Sequence, residues 1–187
     1  MEYLENSNLD EVIEFWARRE DRTIPQLRYL RNPLLCEIPL NTQWIKVQLE
    51  REDLNSLRVI NESAGWNILS EAGSLDTLTL NLRQFSTEPP IMPFGLMPDG
   101  RTWQQYIDDL IDGLQQFIAN VGNQGLELGL ILISSSYEGP FTILEGNHTA
   151  VGLYFEYVLE HPDRDYPQHY AYLGISPLMT SCQWYHP

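Results

Sequence analysis

Apolar residues recur along this chain with two different periods. Val12, Ile13, Phe15 and Trp16 fall on one side of a helix that Asn8 or Asp10 can cap. A longer helix is predicted over 103–119: Tyr106, Ile107, Leu110, Ile111, Leu114, Phe117 and Ile118 share a face, and Thr102 stands at its N-cap. Its other face carries Asp108, Asp109 and Asp112, which read as a solvated acidic surface and not as a convergent metal site. Residues 44–49 alternate apolar and polar as a half-buried strand does, and Leu78, Leu80 and Leu82 alternate with Thr77, Thr79, Asn81 and Arg83 in the same way. Further strands are expected over 126–134, 141–144 and 168–175, and a short helix from Glu52 with Leu54, Leu57 and Ile60 on its apolar side. Between these lie an expected turn and short extended piece over 65–69, a proline-bearing segment over 24–39 expected to wrap the core without helix, and a loop over 86–100 expected to cover it.

Composition narrows the class. The chain has 187 residues, 43% of them hydrophobic, enough for one substantial core. No apolar run approaches the length of a membrane span, and the acidic start lacks the basic and apolar regions of a secretion signal. A cytoplasmic protein without a membrane partner is expected. The net charge is −15, with one lysine, Lys46, and scattered arginines. A surface of that sign opposes duplex nucleic acid, whose binding requires several phosphates to be neutralised. Cys36 and Cys182 stand in no metal-ligating spacing and are expected to be free thiols. The run Arg18-Arg19-Glu20-Asp21-Arg22 reads as the solvated end of the first helix.

The densest chemistry lies in FTILEGNHTAVGLYFEYVLE, residues 141–160. A β-branched apolar strand runs into the polar turn Glu145-Gly146-Asn147-His148-Thr149, and an amphipathic helix follows, for which Asn147 or Thr149 can supply the N-cap oxygen. Gly146 permits a sharp turn or close approach of a ligand to the backbone. A helix N-terminus after such a turn gathers free N–H groups and the positive end of the helix dipole, an anion site.

This strand, the turn of the form [DE]-G-[NH]-H and the helix after it resemble the signature of the ParB/sulfiredoxin-like superfamily. There the turn is close to DGxHR and binds nucleotide phosphates. The order of elements around it agrees over the second half of the chain. The resemblance implies an α+β fold: a small mixed sheet flanked by helices in one compact domain over 37–187, with residues 1–36 as an N-terminal helix and wrapping segment. It departs at Thr149, where the family usually has Arg, and at Asn147, which occupies the place of the sulfiredoxin nucleophilic Cys. By resemblance, the turn Gly146, Asn147, His148 and Thr149 would bind ATP or ADP; Arg83 and Arg101 are candidate cationic partners to it, and Glu145, a hard oxygen ligand at the strand end, is the candidate ligand to Mg²⁺. Glu145, His148 and Glu138 are the candidate catalytic groups, His148 because an imidazole titrates near neutrality. The expected activity is nucleotide-dependent phosphoryl transfer to a small molecule, kinase-like, or nucleotide hydrolysis. The alternative is a non-catalytic ligand-binding or protein-interaction domain that has kept the fold; a ParB-like nuclease comes third, opposed by the charge.

Overall fold

Two neighbouring strands set the centre. β4 (Leu130–Ser134) and β5 (Phe141–Glu145) are short β-branched and leucine-rich runs, buried over all but the last residue, as strands covered on both faces must be. In the computed structural model, which describes residues 1–60, 66–70, 72–87, 100–121 and 129–186, they pair antiparallel through a turn at Ser135–Gly139. Beside β4 runs β6 (His169–Ile175), parallel to it, and beside β6 runs β2 (Gln43–Leu49), antiparallel. The edges are β1 (Glu2–Ser7), antiparallel to β2, and β3 (Leu57–Val59), parallel to β5. The order is β1-β2-β6-β4-β5-β3, a mixed six-stranded sheet in one compact α+β domain.

Helices bury this sheet. α1 (Leu9–Arg19) begins at Asn8, whose side chain accepts from the Glu11 amide, and buries Val12, Ile13, Phe15 and Trp16. The Phe15 ring lies against Tyr170 and Tyr172 of β6, with centroids 6.0 and 5.1 Å away, so α1 crosses that face of the sheet. Residues 1–36, expected as a helical extension, therefore contribute an edge strand and a core helix to the sheet domain itself. β1 went unforeseen because its residues are exposed on both faces and carry no alternation to read.

The proline-bearing segment is helical after all. α2 (Ile24–Leu30) starts from a reciprocal Thr23–Gln26 capping box and α3 (Asn32–Leu35) follows at once, with Pro25 and Pro33 in their first turns. Proline is tolerated there because the first-turn N–H groups lack intrahelical partners in any case. The leucines at 78, 80 and 82 also differ from expectation. They lie in α5 (Leu75–Thr87), not in a strand. Leu75, Leu78 and Leu82 are buried on one face, whereas Leu80 is 50% exposed. The Ser74 hydroxyl accepts from the Thr77 amide and starts the helix, so the competing 3.6-residue period won. The segment expected as a helix from Glu52 divides into a 3-10 turn (Arg51–Ser56) and β3, and the extended piece expected near 65–69 is the short helix α4 (Trp66–Leu69).

α6 (Trp103–Val121) begins with a Thr102–Gln105 capping pair and packs against α5 and α7 (Asn147–Tyr154). Asp108, Asp109 and Asp112 are exposed, Asp109 pairing with Arg101 at 2.7 Å. α7 passes at its C-terminus into a π-helical turn (Phe155–Glu160) in which buried Glu156 is paired with Arg164. After β6 the tail docks back: the Thr142 hydroxyl accepts from the His186 amide, and Tyr185 is buried. Cys36 is an exposed free thiol and Cys182 a buried one. Most of the 86–100 loop and the first residues of the strand expected over 126–134 lie outside the described residues. Among the described residues no helix is long and apolar enough to cross a membrane.

His169 of β6 is 2% exposed, edge-on to Tyr166, and neither ring nitrogen has a hydrogen-bond partner among the described residues. Burial lowers its pKa from 6.5 to about 4. The unfolded chain therefore binds the proton first as pH falls. The stability of the neutral, buried ring is complete above 6.5 and is lost between 6.5 and 4, roughly 3 kcal/mol in all. Urea denaturation at pH 7.5 and pH 4.5 is expected to show this loss in the wild type, and a smaller one in His169→Phe.

Candidate functional site

The turn after β5 is built around Gly146, whose φ of +97° is left-handed. A Cβ at that position would meet Leu130 Cδ2 at 2.6 Å, so the glycine serves both the turn and its close approach to β4. Gly146 is itself the N-cap of α7, its carbonyl accepting from the Ala150 amide at 2.9 Å, and no side chain caps the helix. Neither Asn147 nor Thr149 takes the capping role expected of them. Asn147 Oδ1 is buried without a partner among the described residues, and the Thr149 hydroxyl is occupied from another direction.

That direction is α1. Arg19 Nη2 donates to Thr149 Oγ1 at 3.2 Å, and Arg19 Nη1 donates to the Gly129 carbonyl at 2.6 Å. A guanidinium thus stands beside the first turn of α7, next to the position where the sequence itself carries threonine. Arg31, at the junction of α2 and α3, stands nearby and holds Glu20 through Nε and Nη2 at 3.0 and 2.6 Å. Trp16 Nε1 donates to the same carboxylate at 2.7 Å, and Arg22 Nε donates at 3.0 Å. The run Arg18–Arg22, expected to be solvated surface, therefore delivers Arg19 and Glu20 to the turn. The reason is that α1 ends over the sheet, pinned by Phe15 and Trp16, and not in solvent.

A cavity of about 500 Å³ opens over these groups. Its floor is the chain from Leu144 to Thr149. Leu30, Arg31, Pro33 and Leu34 form one wall, Ile60 and Trp66 another, and Arg19 and Trp184 complete the rim. Trp184 is held there by its Nε1 donating to the Pro33 carbonyl at 3.3 Å. The volume suits a ligand of nucleotide size. His148 stands edge-on to Trp66, centroids 5.1 Å apart, and α6 approaches its ring at Gly113. The imidazole keeps contact with solvent, yet the low-dielectric wall lowers its pKa below 6.5, so it is neutral at pH 7 with one nitrogen able to accept a proton.

Glu145 ends β5 on the cavity floor. Burial, and then the negative charge of Glu20, raise its pKa; Arg31, Arg19 and Trp16 pull it back only in part. Glu20 differs: burial pushes its pKa up, but Arg31, Trp16 and Arg22 outweigh this and leave it lowered, an anion fixed by its donors.

The structure brings Glu145, Gly146, Asn147, His148 and Thr149 together in this cavity. It does not bring the other three predicted residues there. Arg83 pairs with Glu160 and lies over the Phe155 ring at 5.1 Å. Arg101 pairs with Asp109 at the start of α6, over Tyr106 at 5.3 Å. Glu138 is exposed in the β4–β5 turn, where its amide donates to Ser136 Oγ at 3.2 Å. Arg19, Arg31 and Trp184 were missed. No sequence period links residues 19, 31 and 149; the one available signal was a charged run beginning within a helix whose apolar face is aromatic.

No group of three or more His, Cys, Asp or Glu side chains among the described residues is arranged to hold a metal ion. A single carboxyl whose pKa burial raises, beside two guanidinium groups, suits Mg²⁺ poorly as a protein-held ion, since Mg²⁺ seeks several ionised oxygen ligands. Compared with known protein families, curated proteins and solved structures, the chain matches none.

Gly146→Ala is expected to cost roughly 2 kcal/mol or more, since the left-handed backbone and the fully buried Leu130 both resist a methyl group. Equilibrium urea denaturation checks this, with Gly100→Ala as a comparison, a left-handed glycine with open space around it.

Proposed function

We propose that the cavity over the Gly146 turn binds a phosphate-bearing small molecule of nucleotide size, and that the chain is a nucleotide-dependent phosphotransferase or nucleotide hydrolase of ParB/sulfiredoxin-like type. One observation carries this reading. The N-terminus of α7, without a side-chain cap among the described residues, opens into a cavity that two arginines, Arg19 and Arg31, help to line. First-turn amides and arginine forks are the donors that phosphate oxygens take. Arg19, reaching in from α1, offers the positive charge that the EGNHT turn lacks at Thr149. ATP or ADP fits the space, its phosphates toward the turn and its base toward Trp66, Pro33 and Trp184.

Phosphoryl transfer asks a protein mainly for positioning and charge stabilisation, and these groups supply both. His148, neutral and open to solvent, is the group able to take a proton from an attacking hydroxyl or water. Trp66 fixes the plane of its ring. No step is assigned to a metal, because the donor set on the protein does not favour one.

A second reading, a binding domain without catalysis, is favoured by one feature. Arg19 is already satisfied by Gly129 and Thr149, an arrangement complete before any ligand arrives. Turnover separates the two readings.

Isothermal titration with ATP, ADP and CTP, with and without Mg²⁺, is expected to give saturable binding to the wild type. In Arg19→Ala that binding should weaken about tenfold or more, the loss of a charge-assisted contact. His148→Ala should keep much of the binding and lose phosphate release or transfer, measured by phosphate assay and by mass spectrometry of small hydroxyl-bearing acceptors. A folded wild type that gives no heat with any nucleotide rejects the reading; binding without turnover selects the second.

A further inference from the structure

Glu145 is the cavity group that a purely cationic phosphate site leaves unused. It puts a carboxyl on the floor, where an anion bound at the α7 N-terminus would meet it. Three further charged or titratable residues line the cavity with it: Arg19 from α1, Arg31 from the α2–α3 junction and His148 from α7, while Glu20, which Arg22 and Arg31 hold, lies close enough for its charge to act on Glu145. Glu20 does not take part in proton exchange, since Trp16, Arg22 and Arg31 fill its acceptor positions. Its fixed charge faces Glu145, and the Trp16 indole acts on both carboxyls. Arg31 is divided between the cavity and Glu20. The cationic complement is therefore partly cancelled before a ligand enters.

From this arrangement we infer that an anionic ligand enters the cavity together with one proton, which Glu145 takes up from solvent and then donates as a hydrogen bond to a ligand oxygen. The inference rests on the phosphate-binding reading and adds to it a role for Glu145 that the Mg²⁺ expectation does not contain. An ionised Glu145 would oppose the ligand's charge inside a low-dielectric wall, beside a second carboxylate whose donors favour its ionised form. With its proton, the same side chain becomes a donor to the oxygen it would have repelled. Burial and the Glu20 charge already lean Glu145 toward the protonated form, and a bound anion pushes further in the same direction. The linkage sign follows. Uptake is greatest between the pKa of Glu145 in the free protein and its higher value in the complex; affinity falls as pH rises through that window and levels off above it.

Calorimetric titration of ADP in EDTA, in buffers of different ionisation enthalpy from about pH 5.5 to 8.5, counts the protons directly. In the wild type, uptake approaching one proton is expected inside that window, with affinity falling by up to about tenfold per pH unit across it and levelling off above it. The ADP phosphate and His148 are the two competing acceptors, and two variants separate them. Glu145→Gln should lose the protein's share of the uptake, while His148→Gln should keep it. Uptake unchanged in Glu145→Gln, or lost only in His148→Gln, overturns the inference and leaves the phosphate reading standing. Should Glu145→Gln fail to fold, the ¹³C carboxyl titration of Glu145 in the wild type takes its place: an upward shift with ADP is the expected result, and an unmoved titration overturns the inference. Absence of ADP binding by the wild type at every pH rejects the phosphate reading, and this inference with it.

Discussion

The bridge that Arg19 makes between the Gly129 carbonyl and the Thr149 hydroxyl ties together three elements distant in sequence: the end of α1, the entry to β4 and the first turn of α7. A partly buried guanidinium has to find acceptors, because leaving it unpaired costs several times what an ordinary hydrogen bond returns. Both acceptors here are fixed by other constraints. Gly129 precedes the central strand, and a Cβ there would meet the Phe15 ring at 2.3 Å. Thr149 sits one turn into a helix whose start is set by Gly146 against Leu130. The bridge therefore follows from the packing of α1 on the sheet, and the cavity takes its cationic rim from the bridge.

Electrostatics acts on two length scales. The whole chain carries −15, a field that discourages polyanions. Beyond roughly 10 Å that field is screened at moderate salt, and local groups decide. Around the turn, Arg19, Arg22 and Arg31 gather against Glu20 and Glu145, so an acidic protein holds a small region of mixed charge. Glu20 and Glu145 also illustrate how environment divides like groups: three donors hold one ionised, while burial and its neighbour's charge favour the proton on the other.

By itself the sequence determined those features that arise within a few residues of one another. The β-branched run at 141–144, Gly146 at the turn, Asn8 and Thr102 as helix starts and the long period of α6 each follow from local conformational preference, and each stands in the structure. The leucines of α5 show where local pattern fails, since their spacing satisfies two periods and only burial of Leu75, Leu78 and Leu82 selects one. β1 has no pattern at all, because an edge strand exposed on both faces exists through its ladder with β2. Tertiary structure alone decided which charges surround the turn. Arg19, Glu20, Arg31 and Trp184 reach it from both ends of the chain, carried there by the docking of α1 and of the tail onto the sheet. Long-range hydrophobic packing sets those positions, and nothing in the spacing of charged residues records it.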